Sequence, residues 1–415
     1  MRFVSSVVQY NLLVTSQRIE FLPERDAELF AAVPASAALF LLRGDEGTEP
    51  YVSKTSNLRR RLQRLLGAVD GQSRKLNLRD RARSVEWFST GSDFEASFLL
   101  YKVLRQEFPK TYENRLRLRF APLIKLILDN PYPRAIVTTR ISGMKSNARY
   151  YGPFLTRVAA EKLANDSLDL FKMRRCVDDL HPDPAFPGCI YSEMKMCLAP
   201  CFKGCSDAEY ATEVERVQQF FQSGGESLVR EIERQRDEAS VNLDFEGAAA
   251  QHARLEKVKA AISQLPEIVR RLDELNGVMV QPSAERESVA LFKIVAGQIC
   301  EPVALNVGKA ESSRLAAKPQ SMESRISDAL AAVESPKLRG ALEWMEHLAL
   351  LKRWYYRTAK VGELFLTDSA GELPMRRVVR GVSRVFRGER PSGDLSETAG
   401  DYLKFRAKEA GITEN

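Results

Sequence analysis

The run CVDDLHPDPAFPGCIYSEMKMCLAPCFKGC, residues 176–205, carries five of the chain's six cysteines, and only Cys300 lies elsewhere. The five stand at 176, 189, 197, 201 and 205, and the last three fall in CLAPCFKGC. A Cys-x3-Cys pair with two thiols upstream is the layout of a soft-metal or iron–sulfur site, because thiolates suit zinc and Fe–S clusters. Structural or disulfide-bonded cysteines are the competing reading, and it requires an oxidising compartment. His181 sits inside the same run and is a weaker ligand candidate, since thiols are already in surplus.

Composition bounds the rest. The chain has 415 residues, 44% hydrophobic and 28% charged, as an ordinary globular protein of two to four domains does. No run approaches the roughly 18 apolar residues of a membrane span, and Met1–Thr15 lacks the basic start of a signal peptide. The expectation is a cytoplasmic chain without membrane contact, where clustered cysteines hold metal. The net charge of +7 points to a polyanionic partner. Much of the excess is local: Arg59, Arg60, Arg61, Arg64, Arg74, Lys75, Arg79, Arg81 and Arg83 lie within twenty-five residues. Arg115, Arg117 and Arg119 alternate, as on one side of a strand. Such surfaces suit phosphate contacts that position nucleic acid without reading its sequence.

Along the chain the pattern is mixed, and the fold class expected is α+β with several domains. ALFLLR and EPYVSK read as a hairpin, and SNLRRRLQRLL as a helix with Ser56 as candidate N-cap. Gly152-Pro153 marks a turn, after which Thr156 caps a helix with Val158, Leu163, Leu168 and Phe171 on its apolar side. From Ser206 a long helical region is broken by SGG at 223–225. GVMVQP and ESVALFKIVAGQICEPVALNV read as strands, with Cys300 buried in one. A long helix from about Ile326 to Lys360 and a further hairpin over GELFLTDSAGELPMRRVVRGVSRVFRG, with a basic end, complete the reading.

Several of these stretches together resemble the C subunit of the bacterial UvrABC excinuclease, the UvrC family. RRC at 174–176, Cys189 and KMCLAPC at 195–201 are similar to its cysteine-rich segment. The resemblance implies a [4Fe-4S] cluster on Cys176, Cys189, Cys197 and Cys201, with zinc as the alternative; Cys205 departs from the family pattern. YVSKTSNLRRRL resembles the second motif of the GIY-YIG nuclease domain, matching at Tyr51, Lys54, Asn57, Leu58 and Arg61, with Ser53 for the family glycine. The tyrosine of the first motif falls on Phe40, and the metal-holding glutamate falls on Leu100 in EASFLLYKVLRQEF. Asp93 and Glu107 lie seven residues either side of Leu100, about 10 Å along a helix, too far to substitute. LDFEGAAAQHARLEKV resembles the UVR motif, a helical hairpin that contacts the B subunit.

The resemblance covers roughly residues 35–265, and with the reading of the rest it divides the chain into 1–33 an N-terminal extension, 34–125 a GIY-YIG-like domain, 126–205 a UvrC-like linker and cysteine-cluster module, 206–270 a UVR helical region, and 271–415 a small α/β domain. Neither paired acids nor glycine-rich hairpins mark an RNase H-like or helix-hairpin-helix domain, so the second incision activity is expected to be absent. The expected function is DNA binding in nucleotide excision repair with GIY-YIG cleavage lost or weakened. Its alternative is a live metal-dependent endonuclease making a single incision with UvrA and UvrB. Tyr51, Lys54 and Arg61 are the candidate catalytic residues, using magnesium or manganese only if the nuclease is active. Arg59, Arg60, Arg64, Arg74, Lys75 and Arg79 are the DNA-binding candidates. Leu243, Phe245, Glu246 and Ala249 are the candidate contacts to a UvrB-like protein.

Overall fold

The computed structural model describes residues 16–68, 76–142, 147–263, 265–308, 320–334 and 340–389. In this range the architecture is mixed α and β, with twelve helices and three antiparallel sheets among the described residues. Arg74 and Lys75 lie outside it.

The first sheet takes β1 (Gln17–Glu20), β2 (Ala38–Arg43), β3 (Tyr51–Thr55) and β4 (Ser84–Ser89) in the order β1-β4-β2-β3. Helices α1 (Asp26–Ala32), α2 (Leu58–Leu66), α3 (Asp93–Glu107) and α4 (Tyr112–Leu116) accompany it. The run ALFLL, residues 38–42, is apolar throughout because β2 is covered on both faces. Ala38, Phe40 and Leu42 pack with α1 and α2, whereas Leu39 and Leu41 pack with Leu99 and Val103 of α3. The β2–β3 hairpin is the one expected. The cap of α2 is Asn57 and not Ser56: Asn57 is extended and its Oδ1 accepts the Arg60 N–H at 2.9 Å, a reach Ser56 would make one residue too early. Arg115, Arg117 and Arg119 do not form a strand row. Tyr112 buries beside Leu104 and Phe108, which winds 112–116 into α4, and Arg115 stacks 3.7 Å over Phe108.

α3 starts at a reciprocal cap. Ser92 Oγ accepts the Glu95 N–H at 3.1 Å, and Glu95 Oε2 accepts the Gly91 N–H at 2.6 Å. Burial pushes the Glu95 carboxyl up from 4.5 to about 7, against the pull of the Gly91 and Ser92 amides; nearby Glu285 pushes the same way as burial. A carboxyl that keeps its proton in the fold but loses it on unfolding makes stability fall as pH rises through that window. Stability should therefore decline between about pH 4.5 and 7, and Glu95→Gln should flatten that decline in urea midpoints measured across it.

The second sheet, order β6-β5-β7-β8, uses β5 (Leu123–Ile127), β6 (Arg134–Thr138), β7 (Ala148–Gly152) and β8 (Arg270–Arg271). Around it lie α5 (Arg157–Leu168), α6 (Ile190–Glu193), α7 (Asp207–Gln222), α8 (Glu226–Val241) and α9 (Phe245–Ser263). Thr156 caps α5 as expected, its hydroxyl accepting the Ala159 N–H at 3.2 Å. Val158 is not on the packed side: it is 64% exposed, one residue off the face that carries Ala160, Ala164 and Leu168 inward. Gly225, at φ +96°, separates α7 from α8, and a Cβ there would strike Ile262 of α9 at 2.2 Å.

The third sheet takes β9 (Gly277–Pro282), β10 (Ser288–Val295), β11 (Gln298–Ile299) and β13 (Glu363–Leu366) in the order β11-β10-β9-β13, with β12 (Val303–Asn306) also on β10. Its helices are α10 (Met322–Ala331), α11 (Ala341–Tyr355) and α12 (Met375–Arg387). The single long helix expected over 326–360 is two, α10 and α11. The expected C-terminal hairpin is strand β13 followed by helix α12, because Val378, Val382 and Val385 recur at helical spacing.

Alternation along β9 sets the layering. Val278 and Val280 face α10 and α12, while Met279 faces α3 and α11. In order the layers run α1 and α2, first sheet, α3 with α11, third sheet, then α10 and α12. Phe292 of β10 meets Phe94 and Phe98 of α3 edge-to-face at 5.1 and 6.0 Å. Beside them Tyr101 OH donates to the buried Glu346 at 2.8 Å, and Arg105 pairs with Glu343 at 2.9 Å. His347 accepts the Ile299 N–H at 3.0 Å; burial, then Arg105 and Lys102, lower it to about 3, so it stays neutral.

Candidate functional site

Cys176, Cys189, Cys197 and Cys201 line one narrow cleft, with Arg174 and Tyr191 on its wall. Tight turns bring them there: Lys195, Ala199 and Lys203 all have φ between +56° and +59°, a conformation non-glycine residues hold only when the surroundings enforce it. The Ala199 N–H donates to Cys197 Sγ at 3.3 Å. Arg174, 1% exposed, donates from Nη1 to Cys176 Sγ at 3.3 Å and from Nε to the Tyr132 carbonyl at 2.8 Å. Its Nη2 is buried without a partner.

Burial, and then Cys176, Cys201 and Cys189, push the Cys197 thiol up to about 11. Among the described residues no three His, Cys, Asp or Glu side chains stand as a metal-binding group, so the thiols share a cavity without closing on a point. The donor set still fits a soft metal: four thiols, an amide N–H aimed at sulfur, and a buried cation with a spare donor to balance thiolate charge. Cys205 packs against the helical core outside the cleft, and His181 is exposed. Arg174 carried no role in the sequence reading; its place two residues before Cys176 was the available signal.

On the first sheet the candidates separate. Tyr51 and Lys54 are three apart on an extended strand, so they point to opposite faces. Tyr51 joins the α2 side, where Arg61 Nη2 donates to its hydroxyl at 3.0 Å and the buried Arg61 Nε has no partner. Lys54 joins the α3 side, donating to Asp93 at 2.6 Å and Ser97 at 2.7 Å. Arg357, just past α11, reaches the same Asp93 at 2.6 Å. Burial would raise the Asp93 carboxyl, but Lys54 and Arg357 hold it below its ordinary value. Glu107 is bound by Arg43 at 2.7 Å. Leu100 packs among Val52, Leu99 and Leu104, and Phe40 is fully buried.

The basic candidates differ in availability. Arg60 and Arg64 are exposed on α2. Arg59 donates to the Val33 carbonyl at the end of α1, and Arg79 to Asp26 and to the Leu66 and Pro23 carbonyls, so both hold the fold together. In the α8–α9 hairpin, Leu243 and Phe245 are 73% and 70% exposed, with Glu246 and Ala249 also exposed. They do not pack the hairpin's own core. Leu243 sits at φ +57°, and Asp244 accepts the Gly247 N–H at 2.9 Å, which starts α9. No helix among the described residues is long and apolar enough to cross a membrane.

Comparison with known proteins covers the centre of this arrangement. The family model "UvrC/Cho excinuclease, middle domain" matches residues 122–220, the span from β5 to α7 that includes the cysteine cleft. The chain is 28% identical over 286 residues to UvrABC system protein C of Anaeromyxobacter sp., covering 68% of this chain and 38% of the relative. It is 30% identical over 224 residues to that of Acidobacterium capsulatum, covering 54% and 34%. With that of Methanothermobacter thermautotrophicus it shares 26% over 269 residues, covering 64% and 44%. The chain thus spans 34–44% of the length of these relatives. No solved structure matches. The middle-domain match over residues 122–220 and these relatives support a UvrC-family protein.

Proposed function

We propose that the chain is a UvrC-like DNA-binding protein of nucleotide excision repair in which GIY-YIG cleavage is lost or weakened. The observation that carries this reading is the state of α3. The position expected to hold metal is Leu100 in apolar packing, and the acids seven residues either side of it, Asp93 and Glu107, are neutralised by Lys54, Arg357 and Arg43. Magnesium keeps few protein ligands and prefers carboxylate among them, so no ready site for it supports hydrolysis. Phosphate binding has better support: the Arg61–Tyr51 pair stands with Arg60 and Arg64 on the adjoining helix. A [4Fe-4S] cluster in the cysteine cleft would supply a rigid knot for residues 176–205, held by Cys176, Cys189, Cys197 and Cys201 with Arg174 balancing charge. The exposed Leu243 and Phe245 suit docking on a UvrB-like protein, as aromatic anchors do.

The test is binding and nicking of a lesion-bearing duplex by the full chain, with UvrA, UvrB and magnesium or manganese. Duplex binding without a nick is expected, with Arg61→Ala weakening affinity about tenfold, the loss of one charge-assisted contact. The second reading, a live single-incision endonuclease, draws on the intact Arg61–Tyr51 pair. Metal-dependent nicking abolished by Arg61→Ala would establish it and overturn the first.

A further inference from the structure

The outward side of α12 has no part in anything described above. Its five arginines, 376, 377, 380, 384 and 387, fall within an arc of about 100° at 3.6 residues per turn. Val378, Val382 and Val385 lie opposite and are buried on the third sheet. Gly381 lies so close to Phe365 that a Cβ would meet the ring at 2.2 Å. Arg384 forks onto Glu363 at 2.8 and 2.6 Å, and Arg387 pairs with Glu389. Arg376, Arg377 and Arg380 are exposed, and their side chains have no ion pair or hydrogen bond among the described residues.

We propose that this face is a second nucleic-acid contact, gripping the phosphates of duplex DNA. Three guanidinium groups on one rigid helix repel one another, no ion pair among the described residues offsets that repulsion, and a row of phosphates does. An anionic membrane also attracts arginine, but a helix that lies in a membrane needs its apolar side free. That side of α12 is buried on the third sheet. The surface is also distinct from the first-sheet face. α12 and α2 are the outermost layers at opposite ends of the stack, four spacings of about 10 Å apart, or ~40 Å. Contacts at both ends belong to different stretches of a bound duplex. The arginines contact phosphate without reading bases, so the grip is independent of sequence and lesion.

The experiment uses the full chain and an unmodified duplex, with affinity followed by anisotropy between 50 and 200 mM salt. It compares wild type, the triple variant R376S/R377S/R380S and the double variant R60S/R64S. Each phosphate contact contributes about −0.9 to the slope of log affinity against log salt. The triple variant should lose about 2–3 from that slope and still unfold cooperatively as a folded protein, since the replaced side chains are exposed. Equal slopes in the triple variant and wild type overturn the proposal, whatever the double variant does. A slope lowered only by the double variant therefore leaves the first-sheet reading standing alone. Binding to phosphatidylserine vesicles that disappears in the triple variant, with its duplex slope unchanged, assigns the face to a membrane surface instead.

Discussion

Phe292→Ala should lower the unfolding free energy by about 3–5 kcal/mol, among the largest losses a single truncation produces in this chain. The ring is fully buried and meets Phe94 and Phe98 edge-to-face, so alanine removes both its transfer free energy and two aromatic contacts. The cavity cannot collapse easily, because its walls are a strand on one side and helices α3 and α11 on the other. The effect should also reach the first sheet. Asp93 at the start of α3 holds both Lys54 of β3 and Arg357 beyond α11, so a loosened α3 frees a carboxylate and a lysine together. Urea unfolding gives the magnitude, and hydrogen exchange at α3 shows whether the loss is local. A cost below about 1 kcal/mol would mean that α3 does not bear on the third sheet as described.

The second large effect concerns metal content. The full chain purified without oxygen should carry about four irons, the number a [4Fe-4S] cluster holds. Cys197→Ser should abolish it, since Cys197 lies beside the other three thiols of the cleft. Cys205→Ser should leave iron content unchanged, because Cys205 lies outside the cleft. Elemental analysis for iron and zinc reads all three proteins directly. One zinc and no iron would favour the alternative ion, and neither metal in wild type would remove the cofactor altogether. Arg174→Met is the companion variant. With the buried guanidinium gone, cluster charge would lie in the apolar cleft unbalanced, so a cluster formed there should be lost faster on exposure to air.

What could be read from the sequence divides along physical lines. Cysteine spacing needs no tertiary information, and the structure gathers four of the five clustered thiols in one cleft. The β2–β3 hairpin and the helices at 58–66 and 157–168 follow from local period and turn chemistry. Where packing overrides local pattern, the reading failed. The row of arginines after Asn114 alternates like a strand, yet Tyr112 burying beside Phe108 puts Arg115 in a short helix that ends at Arg117 in the left-handed region, and Arg119 follows in irregular chain. The valines of 378–385 were read as strand although their spacing is that of a helix. Tyr51 and Lys54 were grouped because they are adjacent in a motif, whereas strand alternation sends them to different faces. Arg357 was beyond reach: it joins Asp93 across 264 residues of chain.

The double coverage of α3 decides what can be cut away from this protein. Leu99 and Val103 belong to the first sheet's core, while Phe94, Phe98 and Tyr101 belong to the core built on the third sheet. A fragment ending after α4 would present those three rings to water. At roughly 150–250 Å² for each aromatic, that is about 450–750 Å² of contiguous ring surface, as large as the biggest apolar patch a stable monomer tolerates. The first sheet with its helices is therefore not a portable cassette here. An expressed fragment of residues 16–120 would aggregate or seek a substitute partner, and its behaviour would say little about the intact chain.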